Sequence, residues 1–305
     1  MNKSLLIIIA GPTAVGKTKL AIELAKNFNS SIFSCDSRQF YRELNIGTAK
    51  PTENELQEAN HFFINNKSIH DHYSAGDYEK EIISKLNQYF KKNRIGFLVG
   101  GSGMYINAVC NGLDQLPRNI IIRKELNQQF LDYGIEKIQQ QLKDLDPNHY
   151  LKVDINNPQR IIRALEVCLI TGKPYSSLLL NINKKRNFDC LKFLLHLNND
   201  QLQSNINLRV DKMIDKGLIK EVKNLYDFKN LNALKTVGYK EIYEYLNGQI
   251  EKDVAIQKIK LNTKKYSKRQ MTWFKKDSDY NWVENSSTKN SIHIIYNRIN
   301  EMIKG

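Results

Sequence analysis

The clearest chemistry in this 305-residue chain lies in a run of eight residues: Gly11, Pro12, Thr13, Ala14, Val15, Gly16, Lys17 and Thr18. They fit the pattern G-x-x-x-x-G-K-[ST], whose glycines let backbone N–H groups turn inward around phosphate oxygens. Lys17 adds a cation and Thr18 a hydroxyl suited to Mg²⁺, and a helix starting here adds the positive end of its dipole. The pattern speaks for phosphate binding and is silent on ATP hydrolysis. A hydrolysing NTPase or kinase closes a second apolar strand with an acid that positions Mg²⁺. Here the best such strand, residues 95–99, runs into Gly100, Gly101, Ser102 and Gly103 without a carboxylate. The acid is instead Asp36, at the end of the short run 31–35. A carboxylate there suits accepting a proton or hydrogen bond from a nucleophile. A lone Asp at a strand end is ordinarily a cap or turn residue; the polar Ser37, Arg38 and Gln39 that follow it favour a site.

These residues need a scaffold that presents them together. Residues 5–10 are apolar on both faces, as a central parallel strand is, and an amphipathic helix follows the loop to about Phe28. A helix is expected over 52–60 after Pro51, and another from Ser74 or Asp77 to about Asn93. Strand, glycine turn and helix recur at 95–103, so the chain reads as α/β, a parallel sheet with its sites at the carboxyl ends of the strands. Past Asn111 the texture changes. Gly112 and Pro117 punctuate a boundary, helical periodicity runs to about Asn187, and a strand returns at 189–197. The expected organisation is a P-loop NTPase-like core over 1–112 and 189–305, interrupted by an all-helical insertion over 113–188.

Composition bounds the partners. Hydrophobic residues make up 41% and charged residues 26% of the chain, a globular balance. No apolar run approaches the roughly 20 residues that span a bilayer. The apolar opening superficially resembles a signal peptide but runs straight into a loop that needs a strand before it. The four cysteines, Cys35, Cys110, Cys168 and Cys190, have no zinc or disulfide spacing. A cytoplasmic, reduced protein is expected. The net charge of +14 fits a polyanionic partner, and a compositional bias toward Lys, Asn and Ile accounts for it equally well.

Two basic helices sharpen that choice. Over 158–170 the apolar residues Ile161, Ile162, Leu165, Cys168 and Leu169 share one face, leaving Gln159, Arg160 and Arg163 outside it. Those polar side chains have the spacing to act together on RNA phosphates. The competing reading is a bridge between Arg163 and Glu166. Lys260, Lys264, Lys265, Lys268 and Arg269 form a second stripe, with Ile256, Ile259, Tyr266 and Trp273 opposite. It suits a phosphate backbone or simply solvent.

Seven segments together carry a family likeness: the loop from Gly11 to Thr18, Asp36-Ser-Arg-Gln-Phe-Tyr41, Ile46-Gly-Thr-Ala-Lys-Pro51, Val99-Gly-Gly-Ser-Gly-Met-Tyr105, Asn157-Pro-Gln-Arg-Ile-Ile-Arg-Ala-Leu-Glu-Val167, Val237-Gly-Tyr-Lys240 and Lys268-Arg-Gln-Met-Thr-Trp273. In this order and spacing, from about Leu5 to Trp273, the chain resembles the bacterial tRNA dimethylallyltransferases. The resemblance implies transfer of a dimethylallyl group from dimethylallyl pyrophosphate to N6 of adenine 37 in tRNA, with Mg²⁺ as cofactor and a monomer as the acting form. It further implies that the loop residues and Arg209 hold the prenyl pyrophosphate, with Thr18 near the metal. Asp36 would be the general base and Ser102 a catalytic neighbour. Ser37, Arg38, Gln39, Ser102, Arg123, Gln159, Arg160, Ile161, Ile162 and Arg163 would contact the tRNA together with Asp36. The family commonly has Thr where this chain has Ser102, which keeps the hydroxyl and loses a methyl contact. An adenylate prenyltransferase, a P-loop nucleoside or metabolite kinase, and a non-catalytic RNA-binding protein are the alternatives.

Overall fold

The first strand shows how the chain builds its sheet. In β1 (Ser4–Ala10), Leu5, Ile7 and Ile9 enter one hydrophobic core while Leu6, Ile8 and Ala10 enter another, on opposite faces of the sheet. A strand buried on both sides cannot alternate with polar residues, and each Leu or Ile so buried contributes roughly 1.5–3 kcal/mol. The computed structural model describes residues 3–180 and 183–304. Met1, Asn2, Asn181, Ile182 and Gly305 lie outside the described residues, so the domain expectations are not followed through those positions.

Around β1 stand β2 (Ile32–Ser34), β3 (His61–Phe62), β4 (Ile95–Gly100), β5 (Phe188–His196) and β6 (Asn281–Glu284). The order is β3-β2-β4-β1-β5-β6, with every pairing parallel. Along the chain the helices are α1 (Lys17–Asn27), α2 (Glu53–Glu58), α3 (Ala75–Tyr89), α4 (Gly103–Cys110), α5 (Ile120–Leu145), α6 (Pro147–Tyr150), α7 (Pro158–Thr171), α8 (Tyr175–Leu178), α9 (Asn199–Asp215), α10 (Leu218–Asn224), α11 (Tyr239–Leu246), α12 (Lys252–Phe274) and α13 (Thr288–Lys304). The chain divides into two compact units. One holds the residues up to Cys110 and from Lys185 on; the other is Asn111–Lys184.

Local chemistry sets the helix starts. Ser74 caps α3 and Thr52 caps α2, each in a reciprocal box with the acid three residues on, Asp77 and Glu55. Asn157 caps α7, with Pro158 in its first turn. The helical unit has its own core, where Leu126, Ile138 and Leu142 of α5 meet Ile161, Ile162 and Leu165 of α7. Among the described residues, no helix is long and apolar enough to cross a membrane.

Three expectations need correction. β3 and β6 were not expected: two and four residues are too short to show a period, and β6 follows a polar stretch. The 113–188 insertion ends earlier, because Lys185 onward already belongs to the α/β unit. The buried stripe of α12 is Ala255, Ile259, Ser267, Gln270 and Phe274, whereas Tyr266 and Trp273 are 37% and 43% exposed. Tyr266 and Trp273, expected opposite the basic stripe beside Ile256 and Ile259, lie outside the buried stripe and border the site.

Candidate active site

The loop's shape is fixed from far along the chain. Gly16 has φ 95°, and a Cβ there would lie 2.6 Å from Asn285 Nδ2, so any side chain meets both strain and a clash. That amide donates to the Val15 carbonyl at 2.7 Å. Asn205 of α9 donates to the Ala14 carbonyl at 3.2 Å. The Thr13 N–H donates to Gln270 Oε1 of α12 at 2.9 Å. Lys17 Nζ donates to the carbonyls of Gly11, at 3.0 Å, and Pro12, at 2.7 Å. Pro12 and Val15 are buried, so their part is to shape the loop.

Because β1, β2 and β4 are parallel neighbours, their carboxyl ends deliver three segments to one place. Lys17, Thr18, Asp36 and Gln39 line a single cleft that also includes Val99 and Gly100. The charges there act on one another. Burial, then the neighbouring Arg209 guanidinium, lowers the Lys17 pKa to about 8, against the opposing pull of Asp36 and Cys35. Arg209 of α9 is likewise lowered by burial and supported by Asp36 and Tyr266. Asp36 accepts the Arg38 N–H at 2.9 Å, an Asx turn that fixes its carboxylate. Ser102 Oγ accepts the Ser37 N–H at 3.3 Å. The Tyr266 hydroxyl shares a hydrogen bond with Ser102, and burial followed by the Asp36 charge pushes its pKa up to about 12.

Gln39 turns its amide toward the carbonyls of Thr48, at 3.2 Å, and Ala49, at 3.3 Å. Glu221 secures that same loop: it accepts the N–H groups of Asn45 (3.1 Å), Ile46 (2.8 Å) and Gly47 (3.0 Å) and the Tyr239 hydroxyl (2.6 Å). The Ile46–Pro51 and Val237–Lys240 motifs are thus two sides of one contact.

In the helical unit, Glu166 is 1% exposed and gathers Arg123, Arg163 and the Asn119 N–H on one carboxylate. Arg163 also donates to the carbonyls of Pro117 (2.9 Å) and Leu116 (3.2 Å). The bridge to Glu166 therefore forms, and it is wider than an intrahelical pair. Ile161 and Ile162, expected among the RNA contacts, are 0% and 2% exposed. Their side chains belong to the core between α5 and α7, so this expectation is corrected for them. Gln159 and Arg160 are exposed on the first turn of α7.

Sequence reasoning named the loop, Asp36, Ser102 and Arg209, and the structure brings these together. It missed Tyr266, Gln270, Asn205, Asn285 and Glu221. Gln270 lay inside the motif Lys268–Trp273, which was the available signal; Asn205, Asn285 and Glu221 left none.

Comparison with known proteins supplies the family. The family model described as IPP transferase matches residues 39–277. The tRNA dimethylallyltransferase of Christiangramia forsetii is 47% identical over 297 residues, covering 97% of this chain and 98% of that protein. Among solved structures, the full-length tRNA isopentenylpyrophosphate transferase of Bacillus halodurans is 34% identical with a TM-score of 0.72, covering 99% of this chain and 97% of that one. A eukaryotic dimethylallyltransferase acting on tRNA, 23% identical with a TM-score of 0.78 over 98% of this chain and 80% of that one, shares the fold. A cleft that joins a phosphate loop to one acid, on a scaffold matched along nearly its whole length, has one family to enter: the chain belongs to the IPP transferases, the family of the tRNA dimethylallyltransferases.

Proposed function

We propose that this protein transfers the dimethylallyl group of dimethylallyl pyrophosphate to N6 of adenine 37 in tRNA, next to the anticodon. The observation that carries the reading is the cleft shared by Lys17, Thr18 and Asp36, with Arg209 close enough to depress the Lys17 ammonium. Two cations, a hydroxyl and the start of α1 suit a group whose charge grows as it departs. One carboxylate suits a nucleophile that must lose a proton.

In this mechanism N6 attacks the allylic carbon, the C–O bond to pyrophosphate breaks, and pyrophosphate leaves with the electron pair. Asp36 accepts the N6 proton. Lys17, Arg209 and the loop N–H groups stabilise the leaving group, and Ser102 holds the Ser37 turn against Asp36. The hard oxygens near Lys17 are the Thr18 hydroxyl and the Asp36 carboxylate, and among the described residues there is no group of three or more His, Cys, Asp or Glu that could hold a metal ion. That donor set fits Mg²⁺, which is commonly held by few protein oxygens, substrate phosphates and water. Thr18 would hold it. When bound, the ion supplies further neutralisation at the pyrophosphate.

The RNA side needs a second surface, because adenine 37 must leave its stack to expose N6. RNA contacts are assigned separately in each unit: to Ser37, Arg38 and Gln39 beside the cleft, and to Gln159 and Arg160, exposed on α7 of the helical unit. Arg123 and Arg163, with 36% and 31% of their side chains exposed, would meet phosphates in an orientation set by Glu166. The net charge of +14 accords with this partner. The acting form is proposed to be a cytoplasmic monomer.

Nucleoside mass spectrometry of bulk tRNA incubated with dimethylallyl pyrophosphate and Mg²⁺ tests the reading. Adenosine should gain one dimethylallyl group only with the donor present. Prenylation of AMP with tRNA untouched would point to an adenylate prenyltransferase, and ATP-dependent phosphate transfer would point to a kinase.

A further inference from the structure

We infer that Gln270 is a positioning residue that fixes the pyrophosphate loop against the Ser102 turn beside Asp36. Its side-chain amide is 8% exposed for the whole residue and bridges the two segments: Oε1 accepts the Thr13 N–H and Nε2 donates to the Gly101 carbonyl, both at 2.9 Å. A primary amide carries an acceptor and a donor on separate atoms of one planar tip, so it can serve both segments at once. The approach is tight, since a Cβ on Gly101 would lie 2.2 Å from Nε2.

The neighbours on α12 extend the clamp. Tyr266, one turn before Gln270, bonds Ser102, and Trp273, three residues after it, closes on Gly103, where a Cβ would lie 2.1 Å from its ring. Three side chains of one helix thus hold three consecutive residues of the glycine turn, and Gln270 alone also reaches the loop. The turn passes the constraint on, because Ser102 accepts the N–H of Ser37, next to Asp36.

The inference rests on the proposed prenyl transfer. There the allylic carbon is held from the loop, and the proton acceptor from the turn after β2. Reacting atoms must meet within ~3–3.5 Å, and a misplacement of ~1 Å can cost about 100-fold. Gln270 touches neither reacting group and acts through the spacing between the two segments that hold them.

Gln270→Met and Gln270→Glu test this in the full-length enzyme, with dimethylallyl pyrophosphate, Mg²⁺ and an anticodon stem-loop RNA. Gln270→Met should lower kcat about 10- to 100-fold while leaving KM for the stem-loop within about threefold. Gln270→Glu gives a readout that packing would not move. Its carboxylate cannot donate to the Gly101 carbonyl, but the protonated acid can, and burial raises such a pKa toward roughly 6–9. The ratio of its kcat to wild type should therefore rise as pH is lowered through that range, a slope that Gln270→Met lacks. If Gln270 only packs, both variants melt at lower temperature, keep wild-type kcat per folded molecule and show a flat ratio; that result overturns the inference. Should Gln270→Met not fold, the Gln270→Glu profile decides alone. Should neither fold, Gly101→Ala, which displaces the same amide, must reproduce the kcat loss or the inference fails. Absence of wild-type product in the same assay would instead refute the prenyl-transfer reading.

Discussion

Replacing Glu166 by Gln removes one buried charge and keeps the side chain's shape. In the native unit its carboxylate pairs with Arg123 and Arg163 and accepts the Asn119 N–H at 2.9 Å. Breaking a buried ion pair costs about 3–5 kcal/mol. Both arginines keep about a third of their side chains in solvent, which screens part of that, so the expected cost is about 2–4 kcal/mol. The loss falls on the middle of α7, around Arg163 and Glu166, and on the cap of α5, because Asn119 is the residue that caps α5. Amide exchange read peptide by peptide should therefore quicken about 30- to 700-fold in those segments, at one decade per ~1.4 kcal/mol. The sheet strands should be unaffected. Acid supplies an internal control. Burial pushes the Glu166 carboxyl up, but the hydrogen bonds from Arg123, Arg163 and Asn119 outweigh it and leave the pKa below the ordinary carboxylate value. A lowered native pKa contributes stability above the unfolded value and loses it as pH falls through the native one. The difference between wild type and Glu166→Gln should thus shrink below about pH 4. Unchanged protection in α7 at neutral pH would refute the claim that this carboxylate orders the arginines.

Asp36→Ala should lower kcat about 100- to 10,000-fold while stem-loop affinity stays within about threefold, measured by single turnover and by fluorescence anisotropy; equal losses in both would remove its role as base. The Lys17 pKa of about 8 in the free protein means that its charge disappears as pH rises through that value, well before an ordinary lysine loses its own. Affinity for inorganic pyrophosphate, followed by calorimetry, should fall up to about 30-fold from about pH 7 to about pH 9.5, and Lys17→Arg should flatten that decline. Glu221→Ala leaves three backbone N–H groups and the Tyr239 hydroxyl without their acceptor, so thermal unfolding should report a loss of about 3–5 kcal/mol.

Legibility in the sequence followed the range of the interaction. The loop at 11–18 is a local pattern whose glycines, lysine and threonine do their work within one turn of chain, and the strand before it is apolar on both faces. The cap at Ser74 is equally local, and so is the bridge from Arg163 to Glu166. Asp36 and Arg209 share a site only because β2 lies next to β4, which lies next to β1, and because α9 comes back beside the loop. No period or spacing encodes that, and the family likeness supplied it. Asn285 illustrates the remaining gap: its amide shapes the loop, yet it enters from a four-residue strand whose own pattern is too short to detect. Tyr266 carried no site signal because its spacing groups it with the apolar side of α12, whereas in the fold it stays partly in solvent beside the site.

The charge balance of the cleft explains why one acid suffices. A P-loop enzyme that transfers phosphoryl to water must orient a weak nucleophile and a metal together, hence its acid at the end of a second strand. Here that strand end is Gly100-Gly101, and the space is taken by contact with Gln270 rather than by a carboxylate. A second acid there would oppose the negative charge that Lys17 and Arg209 are proposed to receive. The Arg209 guanidinium already repels the Lys17 ammonium and, after burial, helps to lower its pKa to about 8. In the proposed transfer, a pyrophosphate between them would relieve that repulsion, and the relief would grow as the allylic C–O bond breaks and negative charge collects on the leaving group. Binding that strengthens along the reaction coordinate accelerates the step instead of merely holding the substrate. In the proposed mechanism Asp36, the acid lining the cleft, would then be free to serve the nucleophile.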